Sequence, residues 1–289
     1  MIDFIKKLLE SENIDTYVFR PLNKCLIKKK YLLEKAGIED GFAVIFAIPY
    51  YTRACIGKRN ISAYATSRDY HLYVKELRER TLPLLKEKFP GVNFELFADH
   101  SPIDERHAAV NSGLGVLGKN RLIITEKYSS YIFIGELIVG APLPDGYFNE
   151  IGVQSCEECG LCQKSCPWLN GECDECLSAI TQKKGELSED EAALITKYGL
   201  WGCDICSEVC PHTKKALKSG SIFSPINFFN TLEMPYLTYE NVEQMSEEEF
   251  LQRAFSWRGR ETILRNIRIG GSNDDKKEAE KTGKGDKKA

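Results

Sequence analysis

Residues 155–176 read SCEECGLCQKSCPWLNGECDEC and hold Cys156, Cys159, Cys162, Cys166, Cys173 and Cys176, six of the eleven cysteines in the chain. A second group, GCDICSEVCP at 202–211, adds Cys203, Cys206 and Cys210. From Cys156 to Pro167 the spacing is Cys-x2-Cys-x2-Cys-x3-Cys-Pro, the run found in bacterial ferredoxins. In that run three closely spaced thiolates wrap one iron–sulfur cube, and the fourth reaches a neighbouring cube. The second group is the end of the same run, with Leu200 standing where its first cysteine would be. Crossed ligation then predicts two [4Fe–4S] clusters. One is held by Cys156, Cys159, Cys162 and Cys210, and the other by Cys166, Cys203, Cys206 and either Cys173 or Cys176. Paired Cys-x2-Cys knuckles also occur in zinc ribbons. Three cysteines at that interval followed by x3-Cys-Pro, once complete and once nearly so, favour iron–sulfur over zinc. The isolated Cys25 and Cys55 read as small buried hydrophobes.

The rest of the chain supports this reading by composition. At 289 residues it can bury a substantial core in one or two domains. A net charge of −3 exerts no global pull on nucleic acid, so any basic surface must be local. The opening MIDFIKKLLESENI is an amphipathic helix whose charges interrupt any signal-peptide core. The longest apolar run, FAVIFAIPYY at 42–51, is too short to span a bilayer. The expected location is cytoplasmic, without a membrane partner, and clustered thiols in a reducing compartment mean metal rather than disulfide.

Residues 1–150 alternate helix and strand signals, which predicts an α/β (α+β) N-terminal domain. Phe42–Ile48 reads as a buried strand ended by Pro49, and Ile61–Phe89 as mostly helix. VNFELFAD is a strand, and SPIDERHAAVNSG a helix capped by Ser101, with Pro102 in its first turn and Gly113 at its stop. RLIIT and YIFIGELIVG are further strands. After APLPDG the composition shifts, predicting a ferredoxin-like double-cluster domain at 151–215. A helical segment packing on the core follows at 216–271, including the capped SEEEFLQRAF, and then a disordered tail at 272–289. Gly113, Gly115 and Gly118 with Lys119 spell G-x-G-x-x-G-K, but after a helix and before a strand, the reverse of the dinucleotide and P-loop contexts. Their backbone either approaches a flat or bulky ligand, here counted as cofactor-binding, or simply ends a helix.

A resemblance emerges from SRDYH at 67–71, ADHSPIDERHAAVNSGLGVLGKNRLIITEKYSSYIFIGELIV at 98–139, CLSAIT at 176–181, WGCDICSEVCP at 201–211 and LRNIRIGG at 264–271. Together with the cysteine array, these resemble the epoxyqueuosine reductases, cobalamin-dependent iron–sulfur enzymes that act on tRNA and are related to reductive dehalogenases. The resemblance covers most of residues 40–271 and implies an enzyme. A low-potential donor would feed electrons through both clusters to a cobalamin, and the epoxide oxygen of the modified wobble base would be lost as water. That oxygen needs a proton, and the family's D-x-x-P-x-x-E-R segment assigns it to Asp99. Against an apolar macrocycle such a carboxyl would be pushed up towards neutrality. The resemblance also favours Cys176 as the last ligand, leaving Cys173 spare. Arg68, Tyr70 and His71 read either as contacts to corrin side chains or substrate phosphate, and so counted here as cofactor-binding, or as satisfied surface or core residues. Glu105 and Arg106 read as structural, and His100 stands where the family has a small or hydroxyl residue.

Departures from the family widen the expectation. Many members continue into helical repeats that help hold tRNA, and no such stretch follows Gly271. His212 and Thr213 follow the last Cys-Pro, where Trp-Asn is usual. A related corrinoid/iron–sulfur reductase acting on another small substrate, or a ferredoxin-like carrier without corrinoid, are the alternatives. Arg258, Arg260, Arg265 and Arg268 form a basic helical face that either grips phosphate or pairs with local acids. The chain is expected to act as a monomer.

Overall fold

The computed structural model describes residues 1–271; the expected disordered tail at 272–289 lies outside the described residues. Where consecutive domains are expected, the chain divides into two compact units that alternate along the sequence. The first comprises residues 1–51, 70–160 and 209–230, and the second 52–69, 161–208 and 231 onward.

The first unit runs α1 (Ile2–Ser11), β1 (Tyr17–Pro21), α2 (Lys30–Ala36), β2 (Phe42–Pro49), α3 (Tyr70–Lys88), β3 (Phe94–Phe97), α4 (Glu105–Asn111), β4 (Val116–Leu117), β5 (Ile123–Ile124) and β6 (Ile132–Val139). Four strands form one sheet in the order β1-β2-β6-β3, every pair antiparallel. Phe42, Val44, Phe46 and Ile48 of β2 share a core with α1 and α3, through Ile2, Ile5, Tyr73 and Leu77. Ala43 and Ile45 pack instead with Leu33 of α2 and Ala108 and Ala109 of α4. Helices therefore cover both faces, which is why β2 is apolar at every position rather than alternating.

Two sequence expectations shift. The helix expected from Ile61 begins only at Tyr70, because residues 61–69 form a short 3-10 turn and loop. The helix expected from Ser101 begins at Glu105, and its cap is Asp104, whose Oδ1 accepts from His107 N–H at 3.0 Å. Ser101 Oγ instead accepts from Ile103 N–H at 3.2 Å, which spends the expected cap on a local turn.

The second unit contains α5 (Leu161–Ser165), α6 (Leu177–Thr181), α7 (Glu189–Tyr198) and α8 (Ile205–Glu208). After α9 (Pro211–Ser219), which belongs to the first unit, it resumes with α10 (Tyr239–Glu243), α11 (Glu247–Leu251) and α12 (Arg260–Gly271). Ser246 and Glu249 close the capping box read from SEEEF. The core of this unit gathers Trp201, fully buried, with Phe250, Phe255, Ile263 and Leu264. Among the described residues no helix is long and apolar enough to cross a membrane.

Candidate functional site

In the first unit the chain leaves β3 at Phe97 and reverses at Asp99. His100 N–H donates to Ala98 C=O at 2.6 Å, and Asp99 between them has φ 58°. This is the left-handed form of a three-residue turn, rare and strained for a residue with a side chain, although aspartate tolerates positive φ better than most. Strain of this kind persists only where the surroundings impose it, and it gathers at functional positions. The turn leaves the Asp99 carboxyl 58% exposed, with Oδ2 3.7 Å from His71 Nε2. His71 opens α3 beside Tyr70, which is buried and stacked on Phe133 at 3.9 Å between ring centroids. Tertiary folding thus unites Tyr70, His71 and Asp99. His100 is tied off elsewhere, its ring nitrogens 3.0 Å from Lys29 Nζ and 2.8 Å from Tyr31 Oη. Arg68 belongs to the second unit, where its backbone bridges to Arg253.

Two further carboxyls back the turn. Glu105 receives a hydrogen bond from the Asp99 backbone, and burial together with the Asp99 charge pushes its carboxyl up to about 7. Glu136 lies in the middle of β6, between Ile45 and Phe97, with 0% exposure. Neither of its oxygens makes an ordinary hydrogen bond, although Ser101 lies beside it. Burial, and then the Glu105 charge, raise it well above the normal carboxylate range. Glu136 escaped the sequence reading, although a lone acid in FIGELIVG was the available signal.

The glycine-rich turn is tightly packed. A side chain on Gly115 would meet Ile124 O at 2.6 Å, and one on Gly118 would run into Asn120 Oδ1. Gly113 has φ 81° just past the end of α4. Close approach to the β4–β5 hairpin is a sufficient reason for Gly115 and Gly118, and the positive φ for Gly113. Lys119 Nζ pairs with Glu158 at 3.3 Å.

No disulfide joins any two of the eleven cysteines. Cys156, Cys159 and Cys210 belong to the first unit, and Cys162, Cys166, Cys173, Cys176, Cys203 and Cys206 to the second. In the second unit, Cys203 is pushed up to about 12, chiefly by burial and then by Cys206, Asp204 and Cys176. The Cys173 thiol is raised by burial and by its neighbours Cys166 and Cys176, and donates to Glu175 O at 3.1 Å. Cys166, Cys173, Cys176, Cys203 and Cys206 are thus electrostatic neighbours, with Cys176 common to both groupings. Among the described residues no three Cys, His, Asp or Glu side chains converge on a single point.

The loop bearing Cys203 and Cys206 is clamped by residues the motif does not include. Asp204 accepts from Arg59 Nη1 at 2.6 Å, from Ser62 Oγ at 2.6 Å and from Ala63 N–H at 2.7 Å. Arg59 also pairs with Glu208. Gly202 N–H donates to Thr181 Oγ1, and the buried Asn266 Nδ2 donates to Thr181 O and Leu200 O. The expected basic face is largely engaged within the unit. Arg260 bonds Val242 O, Arg265 bonds Gly185 O, Arg268 bonds Tyr239 Oη, and Arg258 lies 3.8 Å over the Trp257 ring.

The whole is a mixed α/β protein in which an antiparallel sheet carries an exposed acid and a helical unit carries a thiol cluster. No family model matches the chain. It is 31% identical over 225 residues to the epoxyqueuosine reductase of Pseudomonas aeruginosa, covering 74% of this chain and 60% of that one. It is 30% identical over 204 residues to the epoxyqueuosine reductase of Cyclobacterium marinum, covering 68% and 61%. The chain thus spans about three fifths of the length of these relatives. The fold matches the epoxyqueuosine reductase of Streptococcus thermophilus with a TM-score of 0.71 at 22% identity, over 93% of this chain and 80% of that one. An epoxyqueuosine reductase solved with an epoxyqueuosine-modified tRNA-Tyr stem loop matches at 0.67 and 22% identity, over 93% and 81%. The Bacillus subtilis enzyme, solved with its catalytic aspartate loop swung out of the active site, matches at 0.66 and 22%, over 93% and 81%. The chain belongs to the epoxyqueuosine reductase family.

Proposed function

We propose that this protein reduces epoxyqueuosine in tRNA to queuosine, removing the epoxide oxygen as water. Two electrons and two protons convert the epoxide to a carbon–carbon double bond and one water. The observation that carries this reading is Asp99, held exposed in a strained turn beside His71 in a chain related to epoxyqueuosine reductases. A relative was solved with a modified tRNA stem loop, which supports tRNA as the substrate here. The mobile aspartate loop of another is compatible with an acid carried on a turn. A cytoplasmic monomer fed by a low-potential donor fits the same reading.

The thiols of the second unit fit an iron–sulfur cube. Cys166, Cys176, Cys203 and Cys206 are the proposed ligands, and Cys173, engaged with Glu175 O, is the spare. Cys156, Cys159, Cys162 and Cys210 are proposed for the other cube on their spacing. Asp99 and His71, 3.7 Å apart, with Tyr70 next to His71, are the residues proposed to face a cobalamin. A bound cobalamin would supply the strongly reducing centre. The chain's own task is to place the Asp99 proton where the leaving oxygen forms.

Anaerobic purification followed by iron, cobalamin-binding and turnover assays tests the proposal. About eight irons per chain, tight cobalamin binding and conversion of epoxyqueuosine-tRNA under a low-potential reductant are expected. Full turnover by Asp99→Asn would remove the acid assignment. Cobalamin binding without conversion of the tRNA would move the assignment to another small substrate.

A further inference from the structure

A guanidinium is seldom buried unless an acid or another anion faces it. Among the described residues two arginines are buried, Arg20 and Arg253. Arg20 has its acid, Glu150, at 3.2 Å. Arg253, between α11 and α12 of the second unit, is 8% exposed and has none within ion-pair distance among the described residues. It makes one hydrogen bond, from Nη1 to Leu232 C=O at 2.5 Å, and its Nε is sealed from solvent without a partner. Nη2 makes no hydrogen bond and is not sealed, so this corner of the fork meets solvent. The neighbouring acids are engaged elsewhere. Glu249 accepts from Ser246 N–H and Ser246 Oγ, both at 2.9 Å, and Glu233 accepts from Thr52 Oγ1.

The backbone sets a second cation opposite the first. Arg68 and Arg253 are partners in an isolated antiparallel bridge, and Asp69 N–H donates to Gln252 C=O at 2.7 Å beside it. Residues directly opposed in this way carry their side chains to the same face, with Cβ atoms about 4.5–5.5 Å apart. Like charges in that relation destabilise the pairing. An oxyanion between them reverses the sign.

We propose that Arg68 and Arg253 form a phosphate site that takes a backbone phosphodiester of the substrate RNA and so fixes the register of the strand. The assignment to RNA rests on the functional reading above; the phosphate chemistry does not. A diester presents two unesterified oxygens, one for each guanidinium, and planar N–H forks match that geometry better than a lysine does. Arg68, half-buried, forms the entry, and Arg253 the floor. The chain behind the floor is held in place. Leu232, which accepts from Arg253, has φ 52°, and Met234 N–H donates to Thr66 C=O at 2.6 Å, two residues before Arg68. The site is thus preformed, which lowers what binding must spend on ordering it. The expected basic face at 258–268, by contrast, is turned inward on its own unit.

Binding of a labelled, unmodified tRNA-Tyr anticodon stem loop to the cluster-loaded full chain, followed across a salt series, tests this. Arg253→Met and Arg68→Met should each weaken binding about tenfold at low salt and lower the slope of log K against log salt by about one. Arg253→Lys should restore the slope but only part of the affinity, since the charge returns without the fork. Without RNA, Arg253→Met should melt no lower than the parent, because an apolar chain replaces a buried charge that lacks an acid. An arginine kept for structure alone would instead melt lower and leave the slope unmoved, which overturns the inference. It is equally overturned if both methionine variants bind RNA as the parent does and millimolar inorganic phosphate stabilises all three alike. If phosphate raises the melting temperature of the parent alone while RNA binding is unmoved, the phosphate site stands and its ligand is a small phosphate. A parent that shows these effects yet fails to convert epoxyqueuosine-tRNA would sink the functional reading and leave the site standing.

Discussion

Two buried acids in this molecule are treated in opposite ways. Asp204, 7% exposed, receives a guanidinium, a hydroxyl and a backbone N–H, so its lone pairs are well used. Glu136, fully buried, receives no ordinary hydrogen bond and lies near two more carboxyls. The first kind of burial fastens a loop, since a satisfied charge in a dry place is costly to break. The second kind holds a proton, since neutrality is the cheapest state for an unsatisfied acid. The thiol-bearing unit is thus built for permanence and the acid turn for titration.

The largest test of this contrast is on the thiols. Cys176→Ser should remove one cube, lowering iron from about eight to about four per chain and abolishing turnover. Cys173→Ser should leave the iron content unchanged; a matched loss in both variants would break the assignment of ligand and spare. Next, Asp204→Ala should destabilise the second unit by about 3–5 kcal/mol, because Arg59, 13% exposed, loses its buried partner. Chemical denaturation measures this, and a change below about 1 kcal/mol, the scale of a surface pair, would show that the clamp is not needed.

The acid turn gives a graded effect. Asp99→Asn should slow turnover by roughly 10²–10⁴-fold, the usual contribution of a placed proton donor, with iron and cobalamin content unchanged. The smallest effect is on stability. The folded proton affinity of Glu136 is raised, so its contribution is present at low pH and is lost as pH rises from the unfolded carboxylate range towards the folded one. Each pH unit in that window costs about 1.4 kcal/mol. Glu136→Gln should remove this slope and lose less stability than the parent as pH rises above the ordinary carboxylate range. Equal pH slopes in the two proteins would mean that Glu136 is ionised in the fold.

The two regions also differed in how much of them could be read in advance. Cysteine ligands for a cube come from short, local spacings, so Cys156 through Cys166 and Cys203 through Cys210 were legible as a pattern. Even there the clamp was hidden: Arg59 and Asn266 are far from Cys203 in sequence and carry no motif. Asp99 was recognisable only by family likeness, since local spacing suggested no more than a helix entry. The left-handed backbone, the pairing with His71 and the acids behind it arise from the meeting of α3, β3, α4 and β6.

By itself the sequence determined the apolar run of β2, the capping box of Ser246 and the thiol spacings, because propensity, capping and ligand bite act within a few residues. Only the tertiary structure decided that the units alternate along the chain, that α4 is capped by Asp104 and not Ser101, and that Glu136 is a dry acid behind Asp99. Burial and charge coupling depend on what the rest of the chain brings alongside. No local window of FIGELIVG contains that information.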